Sequence, residues 1–194
     1  MTRTISSRVL ILDRDGVINE DSDAYIKSPD EWIPLPGSID AIARLTYAGY
    51  RIAIATNQSG VARGLLSLSD LNTMHQFMRD VITAQGGRIE MIAFCPHSPD
   101  ENCQCRKPKS GLLEEIAKRM NVDLTGVPFV GDTYSDLCAA RLVGAAPYLV
   151  MTGKGTLTLN RIQQQDPIDL LQDVRVFQDL GSVANRLLLQ QGRS

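Results

Sequence analysis

The sequence predicts an α/β protein in which helices cover both faces of a doubly wound, mostly parallel sheet. Short apolar runs recur along the chain, and segments with helical spacing of apolar residues lie between them. Each run is apolar at consecutive positions, which is typical of strands that are buried on both faces. Strands that alternate with helices are joined by right-handed crossovers, so we expect a parallel sheet between two helical layers.

Apolar runs bounded by turn residues define the predicted strands. They cover residues 9–12, 52–55, 91–94, 129–130 and 148–151, with a late edge strand at 174–177. Four of these runs end at a polar residue, namely Asp13, Thr56, Cys95 and Asp132. Because the carboxyl ends of parallel strands lie along one edge of an open sheet, where ligands bind, we expect the functional site at that edge.

Capping residues and apolar spacing define the predicted helices. Ser38 is expected to cap the first helix and Gly49 to end it, and Ser69 is expected to cap the second. The later predicted helices cover residues 112–120, 135–143 and 182–190. The segments 16–36 and 60–69 are loops of modest length, so we expect no large cap domain over the site.

The composition describes a single domain spanning residues 1–194. Hydrophobic residues make up 43% of the chain, and its formal net charge is −2. That balance argues against nucleic acid or an anionic membrane as a partner, since both favour a basic excess. Residues 1–8 lack the apolar stretch of a signal peptide, and no apolar run approaches the roughly 20 residues that cross a bilayer. We therefore expect a cytoplasmic protein, and we also expect a monomer.

Several carboxylates are predicted to converge at the sheet edge. Asp13 and Asp15 follow the first strand, Asp132 follows another, and Asp136 lies one helical turn later. Carboxylates that converge in this way repel each other unless a cation lies among them. One or two carboxylates, together with water and phosphate, are ligands that suit Mg²⁺.

Donors for an anionic substrate accompany these carboxylates. Arg106 and Lys107 supply positive charge, and the segment Thr56, Asn57, Gln58 and Ser59 supplies hydroxyl, amide and backbone donors. Each motif taken alone is more often a turn or a helix cap. Together, each after its own apolar run, they favour phosphoryl transfer, which needs a nucleophile, an acid and base, a metal and an oxyanion clamp.

A cluster of soft ligands precedes Lys107. Cys95-x-His97 and Cys103-x-Cys105 lie in one short loop, a set that fits a closed, structural zinc site. The alternatives are unpaired thiols or a Cys95–Cys103 disulfide, and zinc is favoured because no secretory signal is present. Such a zinc site would position Lys107. Two other polar residues, His75 and Cys138, are interpreted as packing residues within helices.

The motif set resembles the haloacid dehalogenase (HAD) superfamily of phosphotransferases. The resemblance covers about residues 8 to 152 and rests on Asp13-x-Asp15-Gly16, Thr56-Asn57, Lys107-Pro108 and Gly131-Asp132-x-x-x-Asp136. It implies a Rossmann-like sheet. It also implies that Asp13 is the nucleophile, forming an aspartyl-phosphate, and that Asp15 is the general acid and base. Asp15 must then begin protonated, so we expect its pKa to lie above that of Asp13.

The same resemblance implies the remaining roles in phosphoryl transfer. Thr56 and Lys107 would bind the phosphoryl oxygens. Mg²⁺ would be held by Asp13, the main-chain carbonyl of Asp15 and Asp132. Asp136 would orient the acidic loop without binding the metal itself.

The zinc-loop sequence resembles the heptose bisphosphate and histidinol phosphate phosphatases, and is most similar to the D-glycero-D-manno-heptose 1,7-bisphosphate 7-phosphatases of lipopolysaccharide synthesis. Histidinol phosphate phosphatase activity is the alternative, and a non-catalytic phosphometabolite-binding protein is an alternative of another class. Thr133 departs from the heptose branch, whose members often carry Lys there. The residues implied to contact substrate are Asp21, Ser22, Asp23, Ala24, Thr56, Asn57, Gln58, Ser59, Arg106 and Lys107.

Overall fold

The computed structural model describes residues 8–165 and 173–191, so most of the segment interpreted as lacking a signal peptide lies outside the described residues. Six parallel strands form one sheet in the order β3-β2-β1-β4-β5-β6. The strand bounds are β1 Val9–Leu12, β2 Arg51–Asn57, β3 Met91–Cys95, β4 Pro128–Gly131, β5 Ala146–Val150 and β6 Arg175–Phe177. The predicted α/β class and parallel sheet are confirmed.

Six α-helices among the described residues connect or follow these strands. They are α1 Ser38–Tyr47, α2 Leu68–Ala84, α3 Gly111–Met120, α4 Tyr134–Leu142, α5 Gly155–Gln165 and α6 Leu180–Gln191. The loops between β1 and α1 and between β3 and α3 each contain one short 3₁₀ turn, Pro29–Glu31 and Pro99–Glu101. None of the described helices combines the length and the apolar character needed to cross a membrane.

Alternate residues of the strands pack into two different cores. Leu10 and Leu12 of β1 belong to the cluster that contains the apolar faces of α1, α2 and α6. Val9 and Ile11 belong to the opposite cluster, with α3 and α4. Because successive strand side chains point to opposite faces of a sheet, a strand apolar at every position is the sequence required here.

Both predicted helix caps at Ser38 and Ser69 are wrong. Gly37 is the N-cap of α1, and the Ser38 hydroxyl instead donates to the Ile18 carbonyl at 2.6 Å. Ser67 caps α2, where its side chain accepts from the Asp70 amide and Asp70 completes a capping box. A capping box satisfies two free amides at once, which explains why the cap lies two residues before the predicted one.

Helix α5 is a further correction, since no helix was predicted between the strands at residues 148–151 and 174–177. Residues 152–154 form a turn, and Gly155 begins α5. The helix packs through Ile162 onto Leu137 and Leu149. The consequence for the site is that the β5–α5 turn, including Lys154, is held at the carboxyl edge of the sheet.

Candidate active site

Three carboxylates meet at the carboxyl edge of the sheet, between its two central strands. Asp13 follows β1, and its amide continues the ladder by donating to the Val130 carbonyl at 2.8 Å. Asp132 follows β4, and Asp136 lies in the first turn of α4. One carboxylate oxygen from each lies within 4.8 Å of the other two. The strand order reverses between β1 and β4, which is the place where open α/β sheets bind ligands.

Two glycines allow two turns to approach Asp132. A Cβ atom on Gly16, which follows β1, would lie 2.2 Å from Asp132 Oδ2, and one on Gly153, which follows β5, would lie equally close at 2.2 Å. The turns are also joined directly, since the Thr152 hydroxyl donates to the Gly16 carbonyl at 2.6 Å. The amide of Lys154 donates to Asp132 Oδ2 at 2.7 Å. Asp132 therefore lies where the turns that follow β1, β4 and β5 meet.

The carboxylate cluster fits a divalent cation. Burial and the neighbouring Asp136 and Asp13 carboxylates raise the pKa of Asp132 to about 8. Burial raises the pKa of Asp13 to about 7, because the nearby Lys107 offsets only part of the penalty. Asp132 Oδ1 is buried and has no hydrogen-bond partner among the described residues. An oxygen-rich site with one free ligand atom and excess negative charge suits Mg²⁺.

Lys107 is buried beside these carboxylates. Its Nζ lies 2.9 Å from Asp13 Oδ2 and 2.6 Å from Asp136 Oδ1, and it donates to the Ala55 carbonyl at 2.8 Å. Although burial lowers the pKa of this ammonium, the two carboxylates outweigh that effect and raise it above its usual value. Asp136 also accepts from the Thr133 amide at 3.0 Å as the capping box of α4. Asp136 therefore connects the start of α4 to Lys107.

Asp15 lies outside the carboxylate cluster and is paired with Arg14. The Arg14 guanidinium donates to both of its oxygens, at 2.9 Å from Nε and 2.8 Å from Nη2. Burial raises the pKa of Asp15, but Arg14 and the hydrogen bonds from Asn19 and Gln58 lower it below its usual value overall. In the protein without a bound cation the two pKa shifts therefore run opposite to the predicted order, because Arg14 stabilises the Asp15 carboxylate. The order with magnesium and substrate bound stays a prediction.

The last residues of β2 and the residues that follow it hold their neighbours in place. The Asn57 side chain donates to the Lys107 carbonyl and accepts from the Lys107 amide, both at 3.1 Å. The Gln58 amide donates to Thr56 Oγ1 at 2.8 Å and to Asp15 Oδ2 at 2.9 Å. Thr56, Gln58 and Ser59 are buried. This segment therefore links the phosphate-binding candidates Thr56 and Lys107 to Asp15.

Two adjoining cavities open onto these residues. One, of about 200 Å³, is lined by residues that include Asp13, Thr56, Arg106, Lys107 and Asp132. The other, of about 230 Å³, is lined by residues that include Asp15, Asp21, Ser22, Asp23, Asn57, Gln58 and Ser59. Ala24 does not line either of them; it is exposed, and its carbonyl accepts from Lys27 Nζ at 2.9 Å. Lys154 borders both cavities, and its Nζ lies 2.9 Å from Asp21 and 3.1 Å from Asp23.

The predicted zinc ligands also come together. Cys95 Sγ lies 3.5 Å from Cys103 Sγ and 3.2 Å from Cys105 Sγ, and His97 Nδ1 lies 3.3 Å from Cys105 Sγ. These separations are near the roughly 3.5 to 3.8 Å between ligands of one tetrahedral zinc ion. All three thiols are free, so the alternative Cys95–Cys103 disulfide is wrong. The Arg106 guanidinium donates to the His97 carbonyl at 3.3 Å.

Three residues of the site were missed by the sequence interpretation, namely Arg14, Asn19 and Lys154. Arg14 lies between the two aspartates of the first motif, and Asn19 donates to Asp15 at 2.8 Å. Their short distance in sequence from Asp15 was a usable signal. Lys154 follows a strand end, which is the same positional signal that identified Asp13 and Asp132.

A parallel sheet whose carboxyl edge joins an aspartate cluster, a buried lysine and a second aspartate after the first strand defines a HAD-like hydrolase. The model of the HAD-hydrolase-like family matches residues 104–176. A D-glycero-beta-D-manno-heptose-1,7-bisphosphate 7-phosphatase from Pseudomonas aeruginosa is 52% identical over 95% of this chain and 99% of its own length. This chain belongs to that phosphatase family within the HAD-like hydrolases.

Solved structures agree with this assignment. The D,D-heptose 1,7-bisphosphate phosphatase of B. bronchiseptica, complexed with magnesium and phosphate, is 51% identical and superimposes with a TM-score of 0.88, covering 94% of this chain and 99% of that one. The enzyme of Burkholderia thailandensis is 41% identical with a TM-score of 0.71, covering 93% and 98%. The resemblance expected from the motifs is thus confirmed at the level of the family and the fold.

Proposed function

We propose that this protein is a phosphatase that removes the 7-phosphate of D-glycero-D-manno-heptose 1,7-bisphosphate during ADP-heptose synthesis for lipopolysaccharide. The observation that carries the proposal is the position of Asp13, whose carboxylate lies 2.9 Å from Lys107 Nζ at the floor of a cavity. A buried carboxylate beside a cation can approach a phosphate dianion as a nucleophile. The relatives' activity on the same sugar bisphosphate supports the substrate.

The reaction follows from the two aspartates of the first motif. An Asp13 oxygen attacks phosphorus, the bond from phosphorus to the sugar oxygen breaks, and Asp15 gives its proton to that leaving oxygen. Water then attacks the aspartyl-phosphate, Asp15 takes the proton of that water, and the bond between Asp13 and phosphorus breaks to release phosphate. Thr56 and Lys107 hold the phosphoryl oxygens in both steps. One carboxyl group thus serves as acid first and as base second.

Asp13, Asp132 and the main-chain carbonyl of Asp15 are the proposed magnesium ligands. The free Oδ1 atom of Asp132 supports this set, as does the excess negative charge of the cluster. When bound, the metal neutralises charge on the phosphoryl group and orients it. Asp136 is proposed to hold Lys107 and the start of α4 rather than to bind the metal, since both of its oxygens already have partners.

The leaving sugar is proposed to lie in the second cavity, next to Asp15. Asp21, Ser22, Asp23, Asn57 and Ser59 line that cavity and can accept or donate hydrogen bonds to its hydroxyls. Arg106 lies at the rim of the first cavity, where a guanidinium can bind the second phosphate of the sugar with two parallel hydrogen bonds. Thr133 caps α4 and lacks the charge that a lysine would bring.

A structural zinc ion is proposed at Cys95, His97, Cys103 and Cys105. The near-tetrahedral ligand separations support it. Only Arg106 separates this cluster from Lys107, so the ion would fix the segment that carries both substrate cations. The cytoplasmic location, the monomeric state and the single domain remain predictions from the composition.

The deciding experiment compares kcat/KM for D-glycero-D-manno-heptose 1,7-bisphosphate and for histidinol phosphate with Mg²⁺ present. We expect the heptose bisphosphate to be preferred. A preference for histidinol phosphate of about 10-fold, which corresponds to about 1.4 kcal/mol of transition-state binding, would overturn the substrate assignment. Binding of either compound without phosphate release would instead support a non-catalytic binding protein.

A further inference from the structure

Arg14 is the largest of the fully buried side chains, with 1% of its surface exposed, yet it takes no part in the reaction steps above. It contacts both aspartates of the first motif. Its amide donates to Asp13 Oδ1 at 2.7 Å, and its guanidinium forms the two parallel bonds to Asp15. Burying an arginine costs free energy unless its donors are satisfied, so a residue at this place requires partners on every side.

The far side of the guanidinium has its own partners, contributed by distant parts of the chain. Nη1 lies 3.4 Å from His75 Nε2 and 3.9 Å from Met74 Sδ, both on α2. Nη2 donates to Gln58 Oε1 at 3.1 Å. Burial and the adjacent Arg14 charge lower the pKa of His75 to about 3, so the ring is neutral and can accept a hydrogen bond from Arg14. His75 is therefore a support for Arg14 as well as a packing residue.

This network fixes the orientation of the Asp15 carboxylate. Oδ1 accepts from Arg14 Nε and from Asn19 at 2.8 Å, and Oδ2 accepts from Arg14 Nη2 and from Gln58 at 2.9 Å. A rigid guanidinium fork that bonds to both oxygens sets the plane of a carboxylate as well as its position. A general acid needs such positioning, because proton transfer requires hydrogen-bond contact with the reacting oxygen. When Asp15 carries its proton, that proton takes the place of one amide donor, from Asn19 or Gln58, while the Arg14 fork keeps both of its bonds.

We propose that Arg14, supported by His75, is a positioning residue that holds Asp15 in the orientation needed for proton transfer to the leaving oxygen and from the attacking water. The inference rests on the proposed two-step reaction and deepens it. If Arg14 acts through Asp15, substrates with poor and good leaving groups should respond differently to its loss. A sugar oxygen leaves poorly without a proton, whereas a nitrophenolate leaves well without one, so only the second step needs Asp15 when the substrate is an aryl phosphate.

The test compares heptose 1,7-bisphosphate with 4-nitrophenyl phosphate at saturating Mg²⁺, by steady-state rates and by stopped-flow detection of nitrophenolate. The variants are Arg14→Met, Arg14→Lys and His75→Phe. Phenylalanine retains the ring that packs against Phe94 but removes the acceptor atom. The control is Arg51→Met, which also removes an ion-paired arginine, one that bonds to Glu90 at the opposite end of β2 from the site.

For Arg14→Met we expect kcat on the heptose bisphosphate to fall by about 100-fold, with KM changed by less than about 3-fold. With the aryl phosphate we expect a burst of about one nitrophenolate per active site at nearly the wild-type rate, followed by slow turnover as the aspartyl-phosphate accumulates. Arg14→Lys should show the same pattern more weakly, because one ammonium cannot bond both oxygens in the plane of the fork. His75→Phe should show it most weakly, and Arg51→Met not at all.

Equal losses on both substrates without a burst would overturn the inference, since they would indicate a general structural role. Wild-type kinetics in Arg14→Lys would overturn it as well, because the guanidinium fork would then be unnecessary. If Arg14→Met does not fold, Arg14→Lys and His75→Phe still decide the question. If the wild-type protein cleaves the aryl phosphate but not the heptose bisphosphate, the proposed substrate fails while the burst still tests Arg14.

Discussion

The carboxylate cluster and the Cys/His cluster differ in what holds them together. Asp13 and Asp132 follow central strands, and Asp136 completes the capping box of α4, so regular structure fixes all three. Of the four soft ligands only Cys95 lies in a strand; the other three lie in the loop before α3. The first cluster is thus assembled by the fold against its own electrostatic repulsion, whereas the second is proposed to depend on a zinc ion to fix its loop. The difference predicts opposite responses to losing a ligand.

The largest effect is expected when the carboxylate cluster loses its nucleophile. Asp13→Asn should reduce turnover of the heptose bisphosphate by at least about 10⁴-fold, because the amide cannot form the aspartyl-phosphate. Thermal unfolding should show a Tm no lower than that of the wild type, because the substitution removes one of several buried like charges. Substantial residual activity would contradict the nucleophile assignment, and a large fall in Tm would contradict the claim that the fold assembles this cluster.

The Cys/His cluster should respond in the opposite way. Cys103→Ser should lower the zinc content from about one ion per chain and lower Tm by about 10 °C, since 1 kcal/mol corresponds to about 2–4 °C for a chain of this size. Activity should fall in proportion to the metal lost, because the loop leads into Arg106 and Lys107. The matched control is Cys138→Ser, which replaces the cysteine in α4. Freshly purified wild-type protein without zinc would refute the assignment.

A smaller effect is expected at the ion pairs between Lys154 and the loop that carries Asp21 and Asp23. Lys154→Met removes both pairs but keeps the amide that donates to Asp132. Exposed pairs contribute up to about 1 kcal/mol each, so KM for the heptose bisphosphate should rise by about 5-fold with little change in kcat. Lys118→Met, on the exposed surface of α3, serves as the control. A loss confined to kcat would show that Lys154 acts on Asp132 instead.

The last effect concerns stability in acid rather than activity. The pKa of His75 is lowered to about 3 in the folded protein, against 6.5 for a free side chain. Between these values the unfolded chain binds a proton that the folded chain does not, so His75 destabilises the fold as pH falls below 6.5. Urea unfolding at pH 7 and pH 5 should show the wild type losing about 1–2 kcal/mol more than His75→Phe. Equal losses would mean that His75 titrates normally.

The sheet and the reactive groups could be predicted because both depend on local patterns. A strand buried on both faces must be apolar at consecutive positions, and a polar residue at its end must reach the ligand edge, so Asp13, Thr56 and Asp132 were identified correctly as neighbours. The residues of the Cys/His cluster were identified as neighbours by their spacing alone. The family followed from the order of these motifs.

The network around Asp15 could not be predicted in the same way. Arg14 meets Gln58 and His75 across 44 and 61 positions of sequence, and no local pattern encodes those contacts. Without them, the effect of Arg14 in lowering the pKa of Asp15 in the metal-free protein could not be foreseen. Helix α5 was missed because its segment is polar and begins at a glycine. Its packing against Leu137 and Leu149, which stabilises it, involves residues that are distant in sequence.

The two glycines beside Asp132 limit how this enzyme can evolve. Gly86 and Gly126 also have positive φ, but a Cβ atom there would meet open space. Substitution by another residue would therefore cost only about 1 kcal/mol of backbone strain. At Gly16 and Gly153 any side chain would overlap the Asp132 carboxylate. A library selected for phosphatase activity should therefore tolerate substitution at the first pair and keep only glycine at the second. All four glycines have positive φ, but only the two whose turns contact the Asp132 carboxylate are expected to be invariant.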